Sequence, residues 1–236
     1  MEWSEFAEEM ARLARHLLEQ GSTQETLDAI AAAAVKLIDG CDAAGILALS
    51  KGRSVTLSSC GDVVEKSDRL QGELCEGPCF DAARRTNGER LFRIADMTRP
   101  QPDWPQFAPA ARGLGIGSMM GFLLYTRQED FGALNLYSYR PGAFTAESET
   151  AGWLLASHAA VALASARTVD QLEHALETRH AIGEAMGMLR ERHGLSEEAA
   201  FDVLRRISQH HNIKLRDVAQ YIRAEPPGNG NGNGNG

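Results

Sequence analysis

The chain has no positively charged leader, no apolar run long enough to cross a bilayer, and only four cysteines in 236 residues. Met1-Glu2-Trp3-Ser4-Glu5 is acidic and passes straight into an amphipathic pattern, so no secretory signal is expected. The longest stretch of low polarity, Ala151 to Ala166, contains Ser157, His158 and Ser165. It falls short of the roughly 20 apolar residues that a membrane span needs. A cytoplasmic address is the expectation, and in that compartment structural disulfides are not. Cys75 and Cys79 form a C-x3-C spacing with no second cysteine pair and no H-x-x-x-H partner, which is a poor zinc site. G-x-S-x-G, P-loop and H-E-x-x-H patterns are also missing. The expectation is no metal, no cofactor and no enzyme of these motif classes.

Charge is present but unevenly spread. The net charge is −8, and residues 1–166 hold 15 basic against 22 acidic residues. From Arg167 to Ala224 there are nine of each, together with five of the seven histidines. Only this second part can attract a polyanion locally. Its cations cluster at Arg190-Glu191-Arg192-His193, Arg205-Arg206 and Lys214-Leu215-Arg216, where they either track phosphates or form solvated helix faces with i, i+4 pairs.

Three helical patterns fill that part. Leu172, Leu176, Ile182, Met186 and Leu189 share one face, with Ala175, Ala181 and Ala185 as small neighbours. Ala200, Val203, Leu204 and Ile207 form a second stripe, and Leu215, Val218, Ala219 and Ile222 a third. Gly194 closes the first helix, Ser196 caps the second, and Asn212 breaks before the third. Phe201 reads as core beside Leu204.

These residues carry a resemblance. The run Ala175-Leu176-x-x-Arg179-x-x-Ile182-x-x-Ala185-x-Gly187-x-Leu189 is followed by Leu195-x-x-x-x-Ala200-Phe201-x-x-Leu204-Arg205-x-x-Ser208 and Lys214-Leu215-x-x-Val218-Ala219. It resembles the ANTAR domain, a three-helix RNA-binding module of bacterial transcription antiterminators. The resemblance implies a dimer that captures paired stem-loops in a nascent leader RNA and so prevents a terminator hairpin. It places RNA contacts on Arg179, Ala185, Met186, Gly187, Arg190, Arg192, Arg205, Lys214 and Arg216. The family commonly has Ala-Lys-Gly where this chain has Ala185-Met186-Gly187, which removes one cation. Specific RNA recognition mostly uses unpaired loop bases, which small residues admit closely and flanking arginines hold.

Residues 1–166 read as a mixed α/β sensor domain with an antiparallel sheet. Ser4 to Gln20 and Thr23 to Asp39 are expected helices. Ala43 to Ser50, Ser54 to Ser59, Leu91 to Ile94, Ser118 to Thr126 and Gly132 to Tyr139 are expected strands, the last two joined by a turn at Arg127 to Asp130. Gly77 to Thr86 and Pro105 to Arg112 look helical, and an alanine-rich helix from Ala146 runs on into the bundle. The segment Gly132-Ala133-Leu134-Asn135-Leu136-Tyr137-Ser138, the motif Glu76-Gly77-Pro78-Cys79-x-Asp81-Ala82 and the loop from Asp96 to Trp104-Pro105 are similar to a GAF domain. With the downstream segment, the chain resembles the actinobacterial GAF–ANTAR architecture: sensor over 1–166, a long helix, then an all-α three-helix bundle over 167–224. An unknown small-molecule or redox signal at the GAF domain is implied.

Cys79 follows Pro78 at an expected helix N-terminus, where a thiol becomes more reactive, and Cys75 lies about one turn away. The pair is a redox or ligand candidate, weighed against two small buried cysteines. Two further readings stay open. Some GAF-like proteins reduce free methionine sulfoxide with pocket cysteines, a role that Cys75 and Cys79 would fill. Ser196 to Gln209 followed by Asn212 to Arg223 also reads as a helix-turn-helix for duplex DNA, though with only Lys214, Arg216 and Arg223 as cations on its last helix. Ala162, Ala166, Val169, Leu172, Leu176 and Ile182 give a ragged seam that predicts a homodimer through about 151–179. After Glu225-Pro226-Pro227, the Gly-Asn tract 228–236 is expected to be a disordered tail, native or added in cloning.

Overall fold

Phe6, Met10, Leu13 and Leu17 recur at three- and four-residue steps and form the buried face of α1 (Trp3–Leu18). Ser22 then caps α2 (Thr23–Leu37), its hydroxyl accepting from the Glu25 N–H at 3.2 Å. A computed structural model describes residues 3–50, 53–78, 81, 91–127 and 129–224. The chain divides into two units, Met1–Val169 and Asp170–Gly236.

The first unit is built on five strands: β1 (Ala43–Ser50), β2 (Arg53–Cys60), β3 (Leu91–Ile94), β4 (Ser118–Tyr125) and β5 (Asp130–Ser138). Their order is β2-β1-β5-β4-β3, and all four pairings are antiparallel. Alternation along the strands sends side chains to two faces. Met120, Phe122, Leu124, Leu134 and Leu136 pack with α1, α2 and the start of α5 (Ala146–His193). On the opposite face, Met119, Ala133 and Tyr137 pack with α3 (Val63–Leu74) and α4 (Phe107–Gly113). The sheet therefore has helices on both sides.

Two glycines make the close approaches. Gly132 has φ +119°, and a Cβ there would run into the Leu47 carbonyl of the neighbouring strand. Gly152 lets α5 lie directly on the Phe122 ring, with Trp153 edge-on to the same ring at 5.5 Å. The final serine of β5 has an equally local reason: Ser138 donates to Asp42 at 2.8 Å, and the Tyr139 N–H joins at 2.9 Å, pinning the end of β5 to the start of β1.

The expected strands and the α1, α2 and α5 helices are present within a few residues of the predicted limits. One helix was not foreseen. In α3 the buried face begins with Val63 and Val64 but continues with Ser67, Asp68 and Gln71, so no apolar period marks it. The expected helix over Gly77 to Thr86 lies mostly outside the described residues, as do Cys79 and the Gly-Asn tail.

The second unit comprises the end of α5, α6 (Glu197–His211) and α7 (Leu215–Ala224). Gly194 (φ +64°) ends α5, Ser196 caps α6 by accepting from the Ala199 N–H, and Asn212 (φ 53°) ends it in the left-handed region. The core is one small cluster: Ala181, Ala185, Leu189, Ala200, Leu204, Val218, Ala219 and Ile222. Leu172 and Leu176 are outside it, 61% and 64% exposed.

Candidate functional site

α5 passes through Gly183 and Gly187 without interruption, so its face can be read from 100° per residue. Arg179 and Arg190 are eleven residues apart, which turns them to within about 20° of each other and separates them by about 16 Å along the axis. Both are exposed, and neither makes a side-chain ion pair among the described residues. Gly183 and Gly187 lie between them, and a Cβ built on either would meet nothing within 4 Å. An open backbone shelf thus carries a free guanidinium at each end.

The other expected contacts divide. Ala185 is 0% exposed at the centre of the bundle core, so it sets helix spacing and offers no surface to a ligand. Met186 is half-buried against the same core. Lys214 is exposed just ahead of α7 and makes no ion pair among the described residues. Arg192 is exposed one turn past Leu189. Arg205 is held by Asp202 at 2.8 Å. Arg216 is half-buried, bonded to Asp217 at 3.1 Å and in close contact with His174 of α5. Arg223 pairs with Glu184 at 2.5 Å, a second tie from α7 to α5. Phe201 corrects its sequence reading: it is 39% exposed, because the buried stripe of α6 runs through Ala200 and Leu204 and leaves position 201 about 60° beyond its edge.

In the first unit, the Glu76-to-Asp81 motif fastens loops. The Glu76 carboxylate accepts from the backbone N–H groups of Gln106 (2.8 Å) and Phe107 (3.0 Å) and from the Gln106 amide, which caps α4. Burial pushes its carboxyl up, but the Phe107 and Gln106 donors outweigh that and hold it below the usual range. Asp81 accepts from the Trp104 indole at 2.8 Å. Asp96 accepts from the N–H and hydroxyl of Thr98, a turn-forming arrangement. Cys75 is exposed, against the expectation of burial, because it is the left-handed cap of α3 (φ 52°). Among the described cysteines Cys41 is the buried one, its thiol pushed up to about 12 by desolvation.

The feature missed in the sequence lies between β2 and α3. A cavity of about 470 Å³ has Ser54 and Thr56 on one wall and Glu65, Asp68, Arg69, Gly72 and Glu73 on the other. Asp68 is 2% exposed and accepts from Thr56 (2.8 Å), Tyr137 (3.1 Å) and Asn135 (3.5 Å). Desolvation raises its carboxyl to about 6 in spite of those donors. An acid raised in this way favours the fold when protonated. The contribution is full below about pH 4 and is lost as pH rises through about 6, a cost on the order of 2–3 kcal/mol at neutral pH. Asp68→Asn is therefore expected to raise Tm by about 4 °C or more at pH 8 and by nothing at pH 4, as read by calorimetry at the two pH values.

Comparison with known proteins agrees with this architecture. The GAF domain model matches residues 20–164 and the ANTAR domain model residues 170–222. The chain is 29% identical over 136 residues to the anaerobic nitric oxide reductase transcription regulator of Salmonella arizonae, covering 56% of this chain and 26% of that protein. Among solved structures it is similar in fold to the GAF domain of a phosphoenolpyruvate-protein phosphotransferase from Coxiella burnetii (TM-score 0.55, 16% identity, 70% of this chain and 96% of that one). A bacteriophytochrome from R. palustris is also similar (TM-score 0.61, 11% identity, 86% of this chain and 47% of that one). The chain thus spans about a quarter of the curated relative and about half of the phytochrome. With the five-stranded sheet ahead of the small helical bundle, these matches place the chain in the GAF domain family, as a two-domain GAF–ANTAR regulator.

Proposed function

We propose that the protein is a signal-responsive antiterminator that captures paired stem-loops in a nascent leader RNA through its C-terminal unit. The observation that carries this reading is the open shelf on α5 between the free cations Arg179 and Arg190. Two guanidiniums about 16 Å apart span two to three phosphate steps of a loop, and the glycines between them let its backbone approach. Arg205 and Arg216 are already paired with carboxylates; Lys214 is the outlying phosphate contact. The exposed Phe201 ring offers an apolar face to a splayed base. The GAF domain is the sensor, and a nascent transcript as target sets the place of action in the cytoplasm.

Capture of two stem-loops needs two heads. Leu154, Val161, Val169, Leu172 and Leu176 are all exposed and fall within about 80° of one another around α5. A second copy is their partner in this reading, in a parallel pair. Arg179 takes the next position on the same face, so the apolar seam ends there. A parallel pair then brings two copies of Arg179 and Arg190 to one cleft, where their repulsion is relieved by RNA phosphate. Leu172→Glu/Leu176→Glu is expected to convert a dimer into a monomer at micromolar concentration in light scattering. RNA with two stem-loops would then bind no better than RNA with one.

Competition at fixed salt tests the function. Paired hairpin RNA should outcompete a single hairpin and duplex DNA of equal length. A preference for duplex DNA would replace this reading with the helix-turn-helix one.

A further inference from the structure

We infer that the cavity between β2 and α3 receives a small organic cation, an ammonium or guanidinium compound, with the Asp68 carboxylate as its counter-ion. This rests on the reading of the first unit as a sensor and names the chemistry of its signal.

The size is right for such a molecule: about 470 Å³ lies within the range of small-molecule sites. Because β2 is the edge strand, the cavity opens at the side of the sheet. The Asp68 carboxylate is both buried and part of the cavity wall. Its three partners are neutral donors, and it forms no ion pair among the described residues. A carboxylate has about four acceptor sites, and Oδ2 accepts only from Thr56, itself a cavity residue. Acceptor capacity therefore remains on this carboxylate for a ligand's donor. A buried carboxylate with only neutral partners is costly, and a cation in the cavity supplies the missing charge.

Around it acidic groups outnumber basic ones. Glu65 and Glu73 stand on the rim, so three carboxylates face the single guanidinium of Arg69. An anion is repelled, and a neutral ligand leaves the charge of Asp68 uncompensated. A metal ion fits less well: among the described residues no three His, Cys, Asp or Glu side chains converge on one point. With one carboxylate buried and two exposed in the lining, a molecule with two cationic ends can pair with both kinds.

The probe is agmatine, which carries an ammonium at one end and a guanidinium at the other, titrated calorimetrically into the full chain at pH 8. Succinate and glycerol are the anionic and neutral controls. The expected result is saturable uptake of agmatine alone, at least tenfold weaker in Asp68→Asn and several-fold weaker in the exposed rim variant Glu73→Gln. Absence of saturable uptake, or equal affinity in wild type and Asp68→Asn, overturns the proposal. Glu73→Gln leaves the buried network around Asp68 intact and so reads the cavity's charge independently. RNA affinity measured on the same samples reports on the sensor reading separately. Uptake with unchanged RNA affinity keeps the site and removes the sensor role, whereas no uptake removes the site alone.

Discussion

Arg179→Ala/Arg190→Ala is expected to weaken hairpin RNA binding about 100-fold while leaving the melting temperature unchanged. The magnitude follows from two charge-assisted contacts at about 1.5 kcal/mol each, or about 3 kcal/mol together. The fold is spared because both side chains are exposed and make no ion pair among the described residues. Salt gives an independent reading. Each phosphate contact removed should lower the slope of log K against log salt by about 0.7 to 0.9, so the double variant should lose about 1.5 units. A control on the same unit is Arg205→Ala, which only breaks the surface pair with Asp202 and should change affinity little. If the double variant bound RNA with wild-type affinity and slope, the shelf would not be the contact surface.

Leu204→Ala should have the largest structural effect. Leu204 is fully buried in a core of eight residues, and its truncation costs about 2–5 kcal/mol. A unit with so small a core has little reserve against a loss of that size. Hydrogen exchange should show the amides of α6 and α7 losing protection while those of β1, β4 and β5 keep theirs, because the sheet has its own two cores. RNA binding should vanish with the bundle. Exchange rates that rose equally in both units would mean that the two are one cooperative body.

How much of this was legible depends on what each element buries. Strands β1 and β4 announced themselves because apolar residues fill both faces, and α2 because Ser22 marks its start and Gly40 the turn after it. The bundle was legible to its caps, since Ser196 and Asn212 have local conformational reasons to be where they are. Helix α3 was not. Its inward face changes from valine to serine, aspartate and glutamine, a pattern that makes sense only with Thr56, Asn135 and Tyr137 opposite. Asn135 and Tyr137 come from a strand far away in sequence, and periodicity does not see such partners. Phe201 failed for a smaller reason: one residue along a helix is 100° around it, enough to move a ring from core to solvent. Leu172 and Leu176 looked like bundle core by spacing alone, but they lie about 140–180° around α5 from the core residues Ala181 and Ala185, on the side away from the bundle.

The unbroken winding of α5 from Ala146 to His193 has a last consequence. Its apolar stripe and its two arginines keep their common bearing only while the count of residues between them is preserved. One residue gained or lost there would swing the cationic end through about 100°, and seven would bring it back to within about 20°. The connection can therefore be lengthened by about seven, eleven or eighteen residues with that bearing kept, and the increments between them lose it.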